Sequence, residues 1–250
     1  MIGAIASREA AALFRTPTAW VLLAAVQALV AFVFLLHLDH YLQLQPRMAG
    51  DGPGVTAFLV PRLFSPAATI HLLALPLLTM NLIAGERRQC TLALLQSAPA
   101  TTVEIVLGKF LGVLALLLPM VALTALMPLS LAGLTAIDLG ALALASLGGL
   151  LFVMAVAAFG LYLSTLARQP LLAALGTVAG LLALVLLGEW ARGAVGGIWG
   201  ELLAYPAPTT HLQPFLGGLF DSGALAYFVL FIALFLTLAT RRLDNERLQR

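Results

Sequence analysis

Charge and cysteine are the scarce materials of this 250-residue chain. Only 10% of its residues are Asp, Glu, Lys or Arg, against 62% hydrophobic, whereas soluble domains carry about 25% charged and about 45–50% apolar residues. Cys90 is the one cysteine, which excludes an intrachain disulfide and any oxidising-compartment framework. A net charge of +2 is too small to mark a nucleic-acid surface. The four histidines, His37, His40, His71 and His211, are scattered, so no metal site is expected; His37 and His40 share a helix face but make a weak ligand pair on their own. There is no G-x-x-x-x-G-K-[ST] phosphate loop, since Gly108-Lys109 is followed by Phe110, and the chain is not expected to bind and hydrolyse ATP itself.

Uninterrupted apolar sequence is abundant. Mean hydropathy is +1.04, and residues 16–38, 63–85, 110–137, 139–167, 169–188 and 222–240 contain no Asp, Glu, Lys or Arg. A hydrocarbon core about 30 Å thick needs roughly 20 apolar helical residues, so each stretch is long enough to cross. The expected fold is all-α, a polytopic membrane protein with six transmembrane helices in one domain spanning residues 1–250. Gly50, Gly52, Pro53 and Gly54 punctuate the first connection, and Pro206, Pro208 and Pro214 the last. Pro76, Pro119 and Pro128 fall inside expected spans, where a kink is tolerated better than in soluble helices. The first run exceeds the 7–15 residues or so of a signal-peptide core and reads as a retained anchor. Six crossings put both ends on one side. With the N-terminus inside, ten basic residues are internal (Arg8, Arg15, Arg87, Arg88, Lys109, Arg168, Arg241, Arg242, Arg247, Arg250) and three external (Arg47, Arg62, Arg192), so both ends are expected to be cytoplasmic.

The absence of charge within the spans argues against an ion-driven carrier, which keeps such residues near the midplane, and against an intramembrane aspartyl protease, which needs two carboxylates. His71 is the best candidate for a deep polar group, with a hydrogen bond to a neighbouring helix as its expected role. The pairs Gly108/Gly112 and Gly176/Gly180 have G-x-x-x-G spacing, which serves dimerisation or internal packing equally well.

Three segments outside the spans carry patterns of their own. In residues 1–16, Ile2, Ile5, Ala6, Ala10, Leu13 and Phe14 recur at helical spacing opposite Ser7, Arg8 and Arg15, as in an amphipathic helix at the inner membrane surface. Residues 189–221 carry Trp190, Trp199 and Tyr205 with Ile198, Leu202 and Leu203; such aromatics favour the membrane interface, and a re-entrant helical pair is expected. Residues 85–109, GERRQCTLALLQSAPATTVEIVLGK, form the longest inner loop. Glu86, Arg87 and Arg88 open it, a short helix with Leu92, Leu94 and Leu95 apolar follows, Pro99 ends that helix, and Thr101 with Glu104 has the spacing of a capping box. An apolar face there fits either a partner's groove or the membrane surface.

This loop resembles the coupling helix of ABC-2-type transporter permeases, approximately G-E-[KR]-x-x-G-T-L-[ED]-L-L-L-[ST]-x-P with a later G-K. Gly85, Glu86, Arg87, Thr91, Leu92, Leu94, Leu95, Ser97, Pro99, Gly108 and Lys109 match; Cys90 replaces the usual glycine and Ala93 the usual acid. Pro208, Thr209, His211, Pro214, Phe215, Gly218, Asp221 and Tyr227 resemble the S-P-x-x-H-F-x-x-F-x-x-G-x-x-D…Y-F stretch of one branch, the permeases of gliding-motility and nitrous-oxide-reductase accessory transporters.

The resemblance implies a non-catalytic permease subunit of an ATP-driven transporter in a bacterial inner membrane. ATP and magnesium would be bound by a separate ABC ATPase, present in two copies, and a second or related permease would complete the pore. An accessory protein on the outer side would be a further partner. Residues Glu86, Arg87, Arg88, Thr91, Leu92, Leu94, Leu95, Ser97 and Pro99 would couple to the ATPase, and Pro208, Thr209, His211, Pro214, Phe215, Gly218 and Asp221 would form an outer gate. An ATP-independent membrane assembly protein is the alternative with the same six spans.

Overall fold

A computed structural model describes residues 1–45, 54–89, 101–195 and 197–248, and those residues form helices and turns without strand. In chain order the helices are α1 (Ile2–Arg15), α2 (Pro17–Leu44), α3 (Val55–Thr79), α4 (Ala84–Arg88), α5 (Thr102–Leu129), α6 (Leu139–Leu166), α7 (Pro170–Trp190), α8 (Gly197–Ala204), α9 (Pro208–Leu216) and α10 (Ser222–Leu248). A π-helical turn, Ala191–Val195, follows α7. Six helical stretches are long and apolar enough to span a bilayer. We call the end that gathers α1, α4 and the close of α10 basal, and the end that gathers α8 and α9 distal.

The helices begin and end where local chemistry allows. Pro17 and Pro170 open α2 and α7, where a missing N–H costs nothing. Thr101 and Glu104 cap α5 reciprocally, the expected capping box. Asp138 caps α6 by accepting from the Gly140 and Ala141 amides at 2.9 and 3.1 Å. The α1–α2 corner is fixed by Trp20, whose indole N–H donates to the Phe14 carbonyl at 2.7 Å.

The helix limits move the starts of two expected spans, and α2 and α10 run on past their expected ends at 38 and 240. The third span runs over α5, Thr102–Leu129, rather than 110–137; it begins earlier because a buried lysine is accommodated in it. The second span begins at Val55, eight residues before the expected start. Arg62, the charge that set that start, donates to the Phe58 carbonyl at 3.1 Å and lies 3.9 Å above the Phe58 ring. Its charge is met by its own helix and an aromatic face.

The core lies among α2, α3, α5, α6 and α10, with Val30, Leu63, Leu75, Met120, Phe152 and Phe228 fully buried. α3 and α6 are its most enclosed helices, while α2 and α7 leave most of their surface outside. Glycines set the close approaches. A Cβ on Gly180 would lie 2.8 Å from the Phe159 ring of α6, so the Gly176/Gly180 pair serves packing within this chain. His71 is buried, but its Nδ1 pairs with the Ala67 carbonyl of its own helix at 2.6 Å, not with a neighbouring helix. The walls facing it, including Phe64, Val121 and Phe152, are apolar, and the Thr124 hydroxyl is turned to Met120. The interhelical bond comes instead from Gln27, which donates to the Met120 carbonyl at 2.6 Å. His37 bonds its own helix at Val33 and His40 stacks on Phe58.

Candidate coupling site at the basal end

α3 does not run unbroken into the loop. Its helical bonding stops at Thr79, residues 80–83 turn, and α4 restarts at Ala84. One hydroxyl makes this break affordable. Ser164 Oγ on α6 accepts from the Ile83 and Ala84 amides at 3.1 and 3.0 Å and donates to the Met80 carbonyl at 3.0 Å. Backbone groups buried without partners would each cost about 1–3 kcal/mol. Gly160, one turn earlier on the same face of α6, brings the two helices together: a Cβ there would meet Thr79 Oγ1 at 2.3 Å.

The break aims α4, and with it Glu86 and Arg87, in different directions. Glu86 meets Lys109 of α5, whose Nζ donates to Glu86 Oε1 at 2.8 Å and to Glu9 Oε2 of α1 at 3.0 Å. Arg8 of α1 adds a longer contact to Glu86, 3.7 Å. The Lys109 side chain is only 1% exposed, and Glu9 and Glu86 are 15% and 18% exposed. Two cations and two carboxylates balance, which is the condition on which a charge is kept out of water.

Glycine geometry builds this cluster. A Cβ on Gly108 would lie 2.7 Å from Ile5 Cβ, and one on Gly112 would lie 2.6 Å from Glu9 Cβ. The stripe Gly108/Gly112 is therefore the seat of α1, and it places Glu9 against Lys109. Ile5 of α1 and Ile105 of α5 close the apolar side of the seat.

Arg87 turns the other way. Its guanidinium donates to the carbonyls of Ala167 and Thr165 at 2.7 and 3.0 Å and to both oxygens of Glu246 on α10 at 2.9 and 2.7 Å. Arg242 flanks Glu246 at 3.5 Å. Arg88 is exposed. Of the other residues expected to couple, Thr91, Leu92, Leu94, Leu95, Ser97 and Pro99 lie outside the described residues, as does Cys90.

The distal residues singled out in the sequence come together as a cap. Pro208 begins α9, and Phe215, fully buried, sits over Gly148, where a Cβ would lie 2.5 Å from Phe215 Cβ. His211 lies flat on Tyr227, ring centroids 3.8 Å apart, and its Nε2 pairs with the Tyr205 carbonyl at 2.9 Å. Burial holds this imidazole below its ordinary value, against the Tyr205 carbonyl and the Asp221 charge, which raise it. Tyr227 donates to the Pro206 carbonyl at 2.7 Å. Gly218 takes a positive φ of 73°, open to glycine at no steric cost. Asp221 accepts from the Gly223 amide at 2.8 Å at the start of α10. Thr209 and Pro214 complete α9. On α8, Ile198, Trp199 and Leu202 are largely exposed.

Sequence reasoning missed the partners of the charged motif. Glu9 and Glu246 carried no signal of their own, and Lys109 was noted only as an inner basic residue and the end of G-K. The available signal was the G-K-x-x-G pattern, a cation between two helix-seating glycines.

Six bilayer-length helices whose buried ion pairs gather at the basal end define a polytopic helical membrane protein in which the segment after α4 leaves from an ion-paired base. The chain belongs to the ABC-2 family transporter proteins, whose family model matches residues 3–248. No curated protein sequence matches it significantly. It is an integral membrane protein and a permease subunit of an ABC transporter, a family that works with an ABC ATPase.

Proposed function

We propose that this permease converts ATP hydrolysis on a separate ATPase subunit into substrate movement or transmitted force across a bacterial inner membrane, as an exporter. Two ATPase copies and two permeases, identical or related, make the working unit, and the basal end faces the cytoplasm. The segment at 91–96 would dock on the ATPase, and the distal α8–α9 pair would dip into the outer leaflet and close the exit. This chain's own part is mechanical, with ATP and magnesium held by the partner.

The observation that carries the reading is the divided anchorage of α4. Glu86 is tied to α5 and α1 through Lys109, and the next residue, Arg87, to the end of α6 and to α10. A displacement of the segment that follows α4 is therefore delivered to four helices rather than absorbed by a flexible tether. The distal cap residues, brought together as described, support the branch resembled.

The test is co-purification of the tagged chain in mild detergent. A stoichiometric ATPase is expected, and it should be lost when Leu92 and Leu95 become Asp. Its absence from every gentle preparation would favour the assembly-protein reading. In the assembled complex, Glu86→Ala should preserve assembly but lower coupled ATP turnover; unchanged turnover would remove Glu86 from the coupling role.

A further inference from the structure

Several basal cations are engaged: Lys109 by Glu9 and Glu86, Arg87 and Arg242 by Glu246. Arg241, like Arg15, Arg88 and Arg168, is exposed, and among the described residues no carboxylate pairs with it; what sets it apart is the groove it lines. It stands at the mouth of a groove of about 940 Å³ between α5 and α10, floored by Met154 of α6. Val103, in the first turn of α5, and Leu107 line one wall; the α10 face from Val229 to Arg241 lines the other.

We propose that this groove binds one anionic phospholipid of the basal leaflet, with an acyl chain along α10 and the phosphate on Arg241. Length supports it. Val229 and Arg241 are twelve residues apart, about 18 Å along a helix, and the hydrocarbon of one leaflet is about 15 Å, half of a core about 30 Å thick. The groove thus runs from the headgroup level to near the midplane. Chemistry selects the occupant. The walls are apolar apart from Thr237, Thr240 and Arg241. Thr237 and Thr240 turn their hydroxyl protons to their own helix, at Leu234 and Leu236, so the guanidinium is the donor the groove presents. A planar fork of N–H groups matches phosphate oxygens. A soluble anion leaves the apolar walls unused, and an extended peptide could not satisfy its backbone within hydrocarbon. A chain that ends in a phosphate uses both parts. The inference needs only the groove and the membrane setting, not the ATP-driven reading.

The test is native mass spectrometry of the full chain from mild detergent, titrated with phosphatidylglycerol or phosphatidylcholine. One phosphatidylglycerol should be retained in preference to phosphatidylcholine. Arg241→Ala should weaken it about fivefold, the worth of one cation near the headgroups. Arg168→Ala, which removes an exposed basal arginine away from the groove, should leave it unchanged. Ala233→Trp keeps Arg241 but fills the groove and should abolish retention. Equal binding by the Arg241→Ala and Arg168→Ala proteins, or equal retention of the two lipids, would overturn the proposal. So would a chain dimer that Ala233→Trp dissolves, because a second copy would then occupy the groove.

Discussion

Lys109 Nζ and Glu86 Oε1 lie 2.8 Å apart, joining a fully buried cation on α5 to the helix that precedes residues 90–100. Lys109 also holds Glu9 at 3.0 Å, so its loss would leave two carboxylates confronting each other in a largely enclosed space. Lys109→Met should cost about 3–5 kcal/mol, the range for breaking a buried pair from one side. The double change Lys109→Met with Glu86→Gln should recover part of the loss, because it leaves one carboxylate fewer. Thermal unfolding in detergent, read by loss of the monodisperse peak, measures both.

The seat of α1 gives a sharper steric prediction. Gly112→Val places its first side-chain carbon where Glu9 Cβ now packs, so α1 should be displaced. Amide exchange in residues 2–15 should lose protection while α6 and α10 keep theirs, and the oligomeric state should not change. Full protection of α1 in that variant would show that the glycine stripe is not its seat.

Ser164→Ala removes the hydroxyl that serves three backbone groups at the break between α3 and α4. A loss of about 1–3 kcal/mol is expected for each group left unpaired. Arg88→Ala, at an exposed position in the same region, should stay within about 0.5 kcal/mol of the parent. Comparable melting of the two variants would mean that water or a neighbour takes over the role of Ser164.

At the distal cap the sign with pH can be worked out. Burial makes the folded protein prefer neutral His211, so its folded pKa lies below the ordinary 6.5. The stabilisation is complete above pH 6.5 and is lost as the pH falls below it, when the unfolded chain binds the proton more readily. The cap should loosen on acidification, visible as faster proteolysis within residues 204–221. His211→Phe keeps an aromatic ring on Tyr227 and should remove that dependence. An unchanged acid sensitivity in that variant would remove His211 as its source.

The sequence by itself determined the class of structure. Long runs without charge can be satisfied in lipid only as helices, because hydrocarbon offers backbone groups no other partner. Local signals were equally legible: the Thr101–Glu104 box, the prolines that open α2 and α7, and the amphipathic period of α1 each act within a few residues. Tertiary structure alone decided what depends on meeting across the chain. Lys109 read as a loop residue because a charge is excluded from a span unless partners arrive, and its partners come from positions 9 and 86. Gly108 and Gly112 could have seated another chain or this one; only the placement of Ile5 and Glu9 against them decided. Arg62 shortened the expected second span because hydropathy counts its charge without seeing the Phe58 carbonyl and ring that receive it. The break at residues 80–83 was illegible because a hydroxyl on a different helix stabilises it. Local chemistry wrote the helices, and contacts between distant residues fixed where they bend, how they are anchored and which charges they can hold.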